Sequence, residues 1–81
     1  MFKYHIKGKI TPLDDGEIGE EIDDEFVVDS QCPRVVFKKW LEQNAFWDED
    51  TTLTCIHTKG VFSAFAGSED LDFYLTAELI G

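Results

Sequence analysis

Residues 2–10 alternate between apolar and polar. Phe2, Tyr4, Ile6 and Ile10 fall on one side, and Lys3, His5, Lys7 and Lys9 on the other. A period of two marks a half-buried strand. Thr11-Pro12-Leu13-Asp14-Asp15-Gly16 then reads as a turn, with Pro and Asp-Gly as its punctuation. Beyond it, Ile18, Ile22 and Phe26 fit one face of a helix and equally one face of a strand. Gly19 weakens the helix, and Phe26-Val27-Val28 favours the strand.

Pairing helps to decide between them. In a hairpin centred on Asp14, Ile10 faces Ile18, Ile6 faces Ile22 and Phe2 faces Phe26. On the other side Lys7 faces Glu21, His5 faces Asp23 and Lys3 faces Glu25. One register serves apolar and charged pairs together, each worth roughly 0.2–1 kcal/mol. Tyr4 opposite Asp24 and Gly8 opposite Glu20 fit less well. A first hairpin is expected, with a disordered acidic loop as the alternative.

Ser30 is the expected N-cap of a helix that carries Pro33 in its first turn. Val36, Phe37, Trp40, Leu41 and Asn44 make one stripe at helical spacing. Arg34, Lys38 and Glu42 lie outside it, with Lys38 and Glu42 placed to pair. The helix should stop near residues 43–45. Residues 51–80 read as a three-stranded meander, turned at Lys59-Gly60 and at Gly67-Ser68-Glu69-Asp70. These turns align Leu53 with Ala66 and Leu71, Cys55 with Ala64 and Phe73, and His57 with Phe62 and Leu75. That side is apolar apart from His57, so the helix should pack on it. The expected fold is α+β in the order ββαβββ: one largely antiparallel sheet with a single helix across one face.

The 81 residues make one domain, 1–81, with a thin core that buries roughly 60–65% of the unfolded surface. Seven Phe, two Trp and two Tyr supply that core and argue against disorder along the chain. No apolar run approaches the roughly 20 residues of a membrane helix. No apolar stretch of signal-peptide type follows Met1-Phe2-Lys3-Tyr4-His5. Cys32 and Cys55 read as reduced thiols of a cytoplasmic protein, a disulfide between them being the alternative.

Charge changes the picture more than composition does. Asp14, Asp15, Glu17, Glu20, Glu21, Asp23, Asp24, Glu25 and Asp29 follow one another with no basic residue between them. They account for −9 of the net −10; the remaining eight acids and seven bases sum to −1. Direct binding of nucleic acid or membrane is not expected of such a surface.

Candidate chemistry is sparse. Cys55 and His57 stand two apart on a strand, about 6.6–6.8 Å at Cα, and both point toward the expected core. A thiol nucleophile needs hydrogen-bond reach to its base and some exposure. A small cysteine enzyme is therefore the least favoured reading, and no catalytic residue is assigned. Two Cys and two His scattered over residues 5–57 lack the clustering of a zinc site. A calcium loop starting at Asp14 would put Gly16 and Ile18 where ligands are needed. No phosphate-cradling glycine loop occurs. Neither a metal nor a cofactor is expected.

Two surfaces remain. The first is the acidic segment, Asp14 to Glu25. On a strand, Glu21, Asp23 and Glu25 point the same way, and such a ladder imitates part of the phosphate array of a duplex. Asp48, Glu49 and Asp50, with Glu69, Asp70 and Asp72, extend it if the fold gathers them. Its bland reading is a solvated, solubility-giving hairpin. The second surface is Ile56, Phe65 and Tyr74 on the polar side of the meander, a patch for an adaptor contact or a homodimer. Trp47 is a further candidate anchor. In size, charge and simple fold the chain resembles small acidic inhibitors such as phage anti-defence proteins or nuclease-shielding immunity proteins. No motif carries that likeness, and no residue role follows from it. The leading expectation is a monomeric or dimeric binding protein that occupies the basic, nucleic-acid-binding surface of a protein target.

Overall fold

In the computed structural model, residues 1–12, 19–58, 60–69 and 71–81 are described. The alternating N-terminal segment forms β1 (Phe2–Pro12), and the acidic segment forms β2 (Glu20–Val28). The helix α1 (Pro33–Gln43) follows, and then β3 (Thr52–Thr58), β4 (Val61–Gly67) and β5 (Leu71–Leu79). The strands make a single sheet in the order β2-β1-β5-β4-β3, with every neighbour antiparallel. The ββαβββ order and the α+β class are as expected. The turn is shorter at its start than the sequence suggested, because Thr11 and Pro12 still belong to β1. The remainder of that turn, with Asp14, Asp15 and Glu17, lies outside the described residues, as does Asp70.

Alternation sets the two faces. Tyr4, Ile6 and Ile10 of β1, Phe26 and Val28 of β2, Leu53 of β3, Ala64 and Ala66 of β4, and Phe73, Leu75 and Ala77 of β5 are buried on the helix side. They meet Val36, Phe37, Trp40 and Leu41, the apolar stripe of α1. Phe37 and Leu41 are wholly covered, and burial of such side chains is worth about 1.5–3 kcal/mol each. Gly8 is required where β1 passes β5. A Cβ there would lie 1.9 Å from the carbonyl oxygen of Tyr74.

Two registers differ from expectation by two residues. In β1–β2, Phe2 is opposite Val28, Tyr4 opposite Phe26 and Lys7 opposite Asp23. In β4–β5, Ala66 is opposite Phe73 and Ala64 opposite Leu75. A two-residue slip preserves the face of every side chain, so the apolar pattern alone does not select between the alternatives. The β3–β4 pairs, Leu53–Ala66, Cys55–Ala64 and His57–Phe62, are as expected.

The ends of α1 also differ. Cys32, not Ser30, occupies the N-cap position and makes no side-chain cap bond. The Ser30 hydroxyl instead accepts from the Cys32 backbone N–H at 3.0 Å. At the other end the N–H of Phe46 donates to Leu41 O at 2.8 Å and that of Ala45 to Glu42 O at 3.2 Å. This paired closure is a Schellman turn, with Ala45 in the left-handed region at φ 61°. Asn44, expected in the buried stripe, is exposed, and its side chain donates to Trp40 O at 2.8 Å. Lys38 lies over the Trp47 ring, 5.3 Å from its centre, and no ion pair joins it to Glu42 among the described residues. Arg34 reaches back to the sheet, donating to Leu53 O at 3.2 Å.

Candidate functional site

The face of the sheet away from α1 is uncovered, and the registers align its side chains in columns. Along the β2 edge stand Glu21, Asp23 and Glu25, all exposed. Beside them on β1 stand Lys3, His5, Lys7 and Lys9. Lys3 Nζ lies 3.0 Å from Glu25, and His5 Nε2 is hydrogen-bonded to Asp23. Both acids are the partners the sequence suggested, but they sit diagonally: the residue directly opposite Lys3 is Val27 and that opposite His5 is Glu25. The right-handed twist of the pair brings diagonal neighbours on one face into reach. The His5 bond, helped by the charges of His5 and Lys7, holds the Asp23 carboxyl below the usual range.

The carboxylate ladder is thus ordered, and it is also paired. Three lysines of β1 stand against three acids of β2 on this face. Asp24 points to the helix side and accepts from the indole N–H of Trp40 at 3.0 Å. Asp29, just past β2, binds Lys39 Nζ at 3.1 Å, which lowers its pKa. Glu20 and Glu21, both exposed, have no ion-pair partner among the described residues. Lys9 lies directly opposite Glu21, and Glu20 faces Ile10.

The other acids do not join one ladder. Asp48, Glu49 and Asp50 form an exposed loop after the helix. The Asp48 carboxylate accepts from the backbone N–H of Asp50 at 2.8 Å and the hydroxyl of Thr51 at 3.1 Å. Trp47 beside it is half-buried under Lys38. Asp72 is on the uncovered face, opposite Thr11 of β1, and Glu69 is exposed in the β4–β5 turn.

The apolar candidates do come together. Phe65 and Tyr74 are directly opposite each other on β4 and β5, and their rings meet edge to face with centres 4.9 Å apart. They are 52% and 45% exposed, and Ile56 on β3 is 47% exposed, too open for core residues. At one end of this patch a shallow groove of about 400 Å³ is lined by Thr11, Thr52, Thr54, Gly67 and Asp72.

Cys55 is half-buried, and burial pushes its thiol pKa up against the opposing pull of Arg34. His57, on the same side of β3 as Leu53 and Cys55, is exposed. Its ring stands edge-on to Phe62 with centres 4.7 Å apart, and among the described residues no hydrogen bond joins it to Cys55. A protonated, half-covered thiol without a base is a poor nucleophile. Among the described residues no three His, Cys, Asp or Glu side chains converge as metal ligands. No helix among them is long and apolar enough to cross a membrane.

Sequence reasoning missed Arg34 and the structural use of Asp24. Both contacts bridge helix and sheet, and neither has a local spacing that would have revealed it. Compared with protein-family models, curated proteins and solved structures, the chain matches none of them.

Proposed function

We propose that this chain is a small acidic binding protein that meets a basic surface on a protein target, and that a nucleic-acid-binding surface is the kind of target it fits. The observation that carries the reading is the position of β2. Glu20, Glu21, Asp23 and Glu25 stand on an edge strand that has no strand beside its outer flank among the described residues, while Asp24 is engaged by Trp40. A fixed row of carboxylates steers a basic partner and presents it with repeating acceptors. The lysines of β1 refine where contact falls. Glu20 and Glu21 lead, and the chain that precedes them adds Asp14, Asp15 and Glu17.

A second reading has its own observation, the exposed Phe65–Tyr74 pair with Ile56 nearby. It makes the chain an adaptor that binds through aromatic anchors. The half-buried Cys55 thiol, with its pKa raised by burial, gives no support to a thiol enzyme.

Capture of partners from host lysate on the tagged protein, eluted in steps of rising salt, separates the two. The acidic reading expects a nucleic-acid-binding protein released between low and moderate salt, and lost from the Glu20→Lys/Glu21→Lys variant. The adaptor reading expects a partner that resists salt and is lost from Phe65→Ala/Tyr74→Ala. Retention of the salt-released protein by the lysine variant would remove the acidic reading.

A further inference from the structure

Two adjacent rows of residues cross the uncovered face at one end of the sheet. Thr52, Gly67, Asp72 and Thr11 stand side by side in the first, and Thr54, Phe65, Tyr74 and Lys9 in the second. Gly67 leaves a trough between Thr52 and Asp72, walled by the Phe65–Tyr74 ring pair, and this is the groove of about 400 Å³. The Asp72 carboxylate leans over that glycine: a Cβ on Gly67 would lie 2.9 Å from Asp72 Oδ1. It forms no ion pair or side-chain hydrogen bond with the described residues. Lys9, the base in these rows, is turned away toward β2, its Cε 2.8 Å from the place of a Cβ on Gly19.

The topology gathers further acids at the same end. Antiparallel pairing brings together the end of β1, the start of β2, the β4–β5 turn and the start of β3. Glu20 stands there from β2, Glu69 from the turn, and Asp48, Glu49 and Asp50 from the loop that leads into Thr52, all of them exposed. A cleft set among charges of one sign concentrates ligands of the other. We propose that the groove seats an arginine side chain of a basic protein partner, its guanidinium held by the Asp72 carboxylate and stacked on the Phe65–Tyr74 pair. The chemistry of the walls selects it. A carboxylate takes two N–H donors from the planar guanidinium fork, and aromatic rings attract the same flat cation. The hydroxyl oxygens of Thr52 and Thr54 line the groove as acceptors for the remaining donors. An ammonium is a strongly hydrated point charge that cannot bridge the carboxylate or stack, and an uncharged ligand gains nothing from the surrounding acids. The seat rests on the basic-target reading for the source of the arginine: the β2 carboxylates steer the partner, and the groove anchors it.

Amide NMR titration of the labelled chain with the peptide acetyl-Gly-Arg-Gly-amide tests the seat without the target. Saturable shifts at Gly67, Asp72 and Tyr74 are expected in the millimolar range. The same peptide with lysine in place of arginine should bind several-fold more weakly. With citrulline, the uncharged isostere, no saturable shift is expected. Asp72→Asn and Phe65→Ala should each weaken the arginine peptide by about tenfold, with the rest of the amide spectrum showing the fold intact. Shifts confined to β2, undiminished in Asp72→Asn or equalled by the citrulline peptide overturn the proposal. Capture from lysate separates it from the reading beneath it. A salt-released basic protein held equally by Asp72→Asn overturns the seat and leaves the basic-target reading. An arginine peptide that binds the groove where no basic protein is captured supports the seat and overturns that reading.

Discussion

The indole N–H of Trp40 donates to the carboxylate of Asp24 at 3.0 Å, fastening the helix to the acidic edge strand. One of the nine clustered acids is therefore structural. Trp40 is almost wholly buried, and without Asp24 its N–H loses its partner. Asp24→Ala should destabilise the chain by about 1–3 kcal/mol, and Asp24→Asn, which keeps an acceptor, by less. Urea midpoints of the two variants check this. Equal losses would mean that the indole contact contributes little.

Ala45 occupies the left-handed position of the turn that closes the helix, a conformation costing a non-glycine residue about 1–2 kcal/mol. The Ala45→Gly variant loses the strain but gives part of it back in unfolded-state freedom. A net gain of about 1 kcal/mol is expected, or a Tm rise of roughly 4–8 °C. An unchanged or lower melting temperature would refute the account of this turn.

Asp23 and Asp29 both have folded-state pKa values below the usual 3.8, the first chiefly through the His5 hydrogen bond and the second through Lys39. A depressed carboxyl contributes stability that is fully present above its unfolded pKa and is lost as pH falls through the folded one. Stability should therefore decline below about pH 4. Lys39→Ala should lose less on acidification than the wild type, since its Asp29 has less to give up. Parallel urea titrations at several acidic pH values read the difference, and superimposable curves would contradict it.

Cys32 is exposed, whereas Cys55 is half-buried with its thiol pKa raised by desolvation. A thiol reagent at neutral pH should modify Cys32 quickly and Cys55 slowly in the native protein, as peptide mass mapping can follow. Faster reaction at Cys55 would revive the thiol-enzyme reading.

Much of this was legible because burial follows period. The alternation of Tyr4, Ile6 and Ile10 and the helical stripe of Val36, Phe37, Trp40 and Leu41 assign those residues to the core without any knowledge of topology. Register was less legible. Moving β2 by two residues leaves Phe26 and Val28 inside, and the choice rests on loop geometry that residue type encodes weakly. The ion pairs Lys3–Glu25 and His5–Asp23 were anticipated, although as direct opposites rather than diagonals. Arg34 on Leu53 and Trp40 on Asp24 were invisible, since each depends on where the helix crosses the sheet. The turn at Ala45 was hidden because glycine, its usual marker, is absent. Of the candidate sites, the acidic edge, the lysine column that offsets it and the exposed Phe65 and Tyr74 were all readable from alternation.

The sheet order sets β5 between β1 and β4, so Tyr4 is matched with Leu79 across nearly the whole sequence. During synthesis the first hairpin therefore leaves the ribosome with one flank of β1 open, and it stays so until Leu71–Leu79 has emerged. Its nascent chain meets the cell as an acidic hairpin beside an unfinished sheet. Like charge gathered early in the sequence makes two such unfinished copies repel while the strand that closes the structure is still being made.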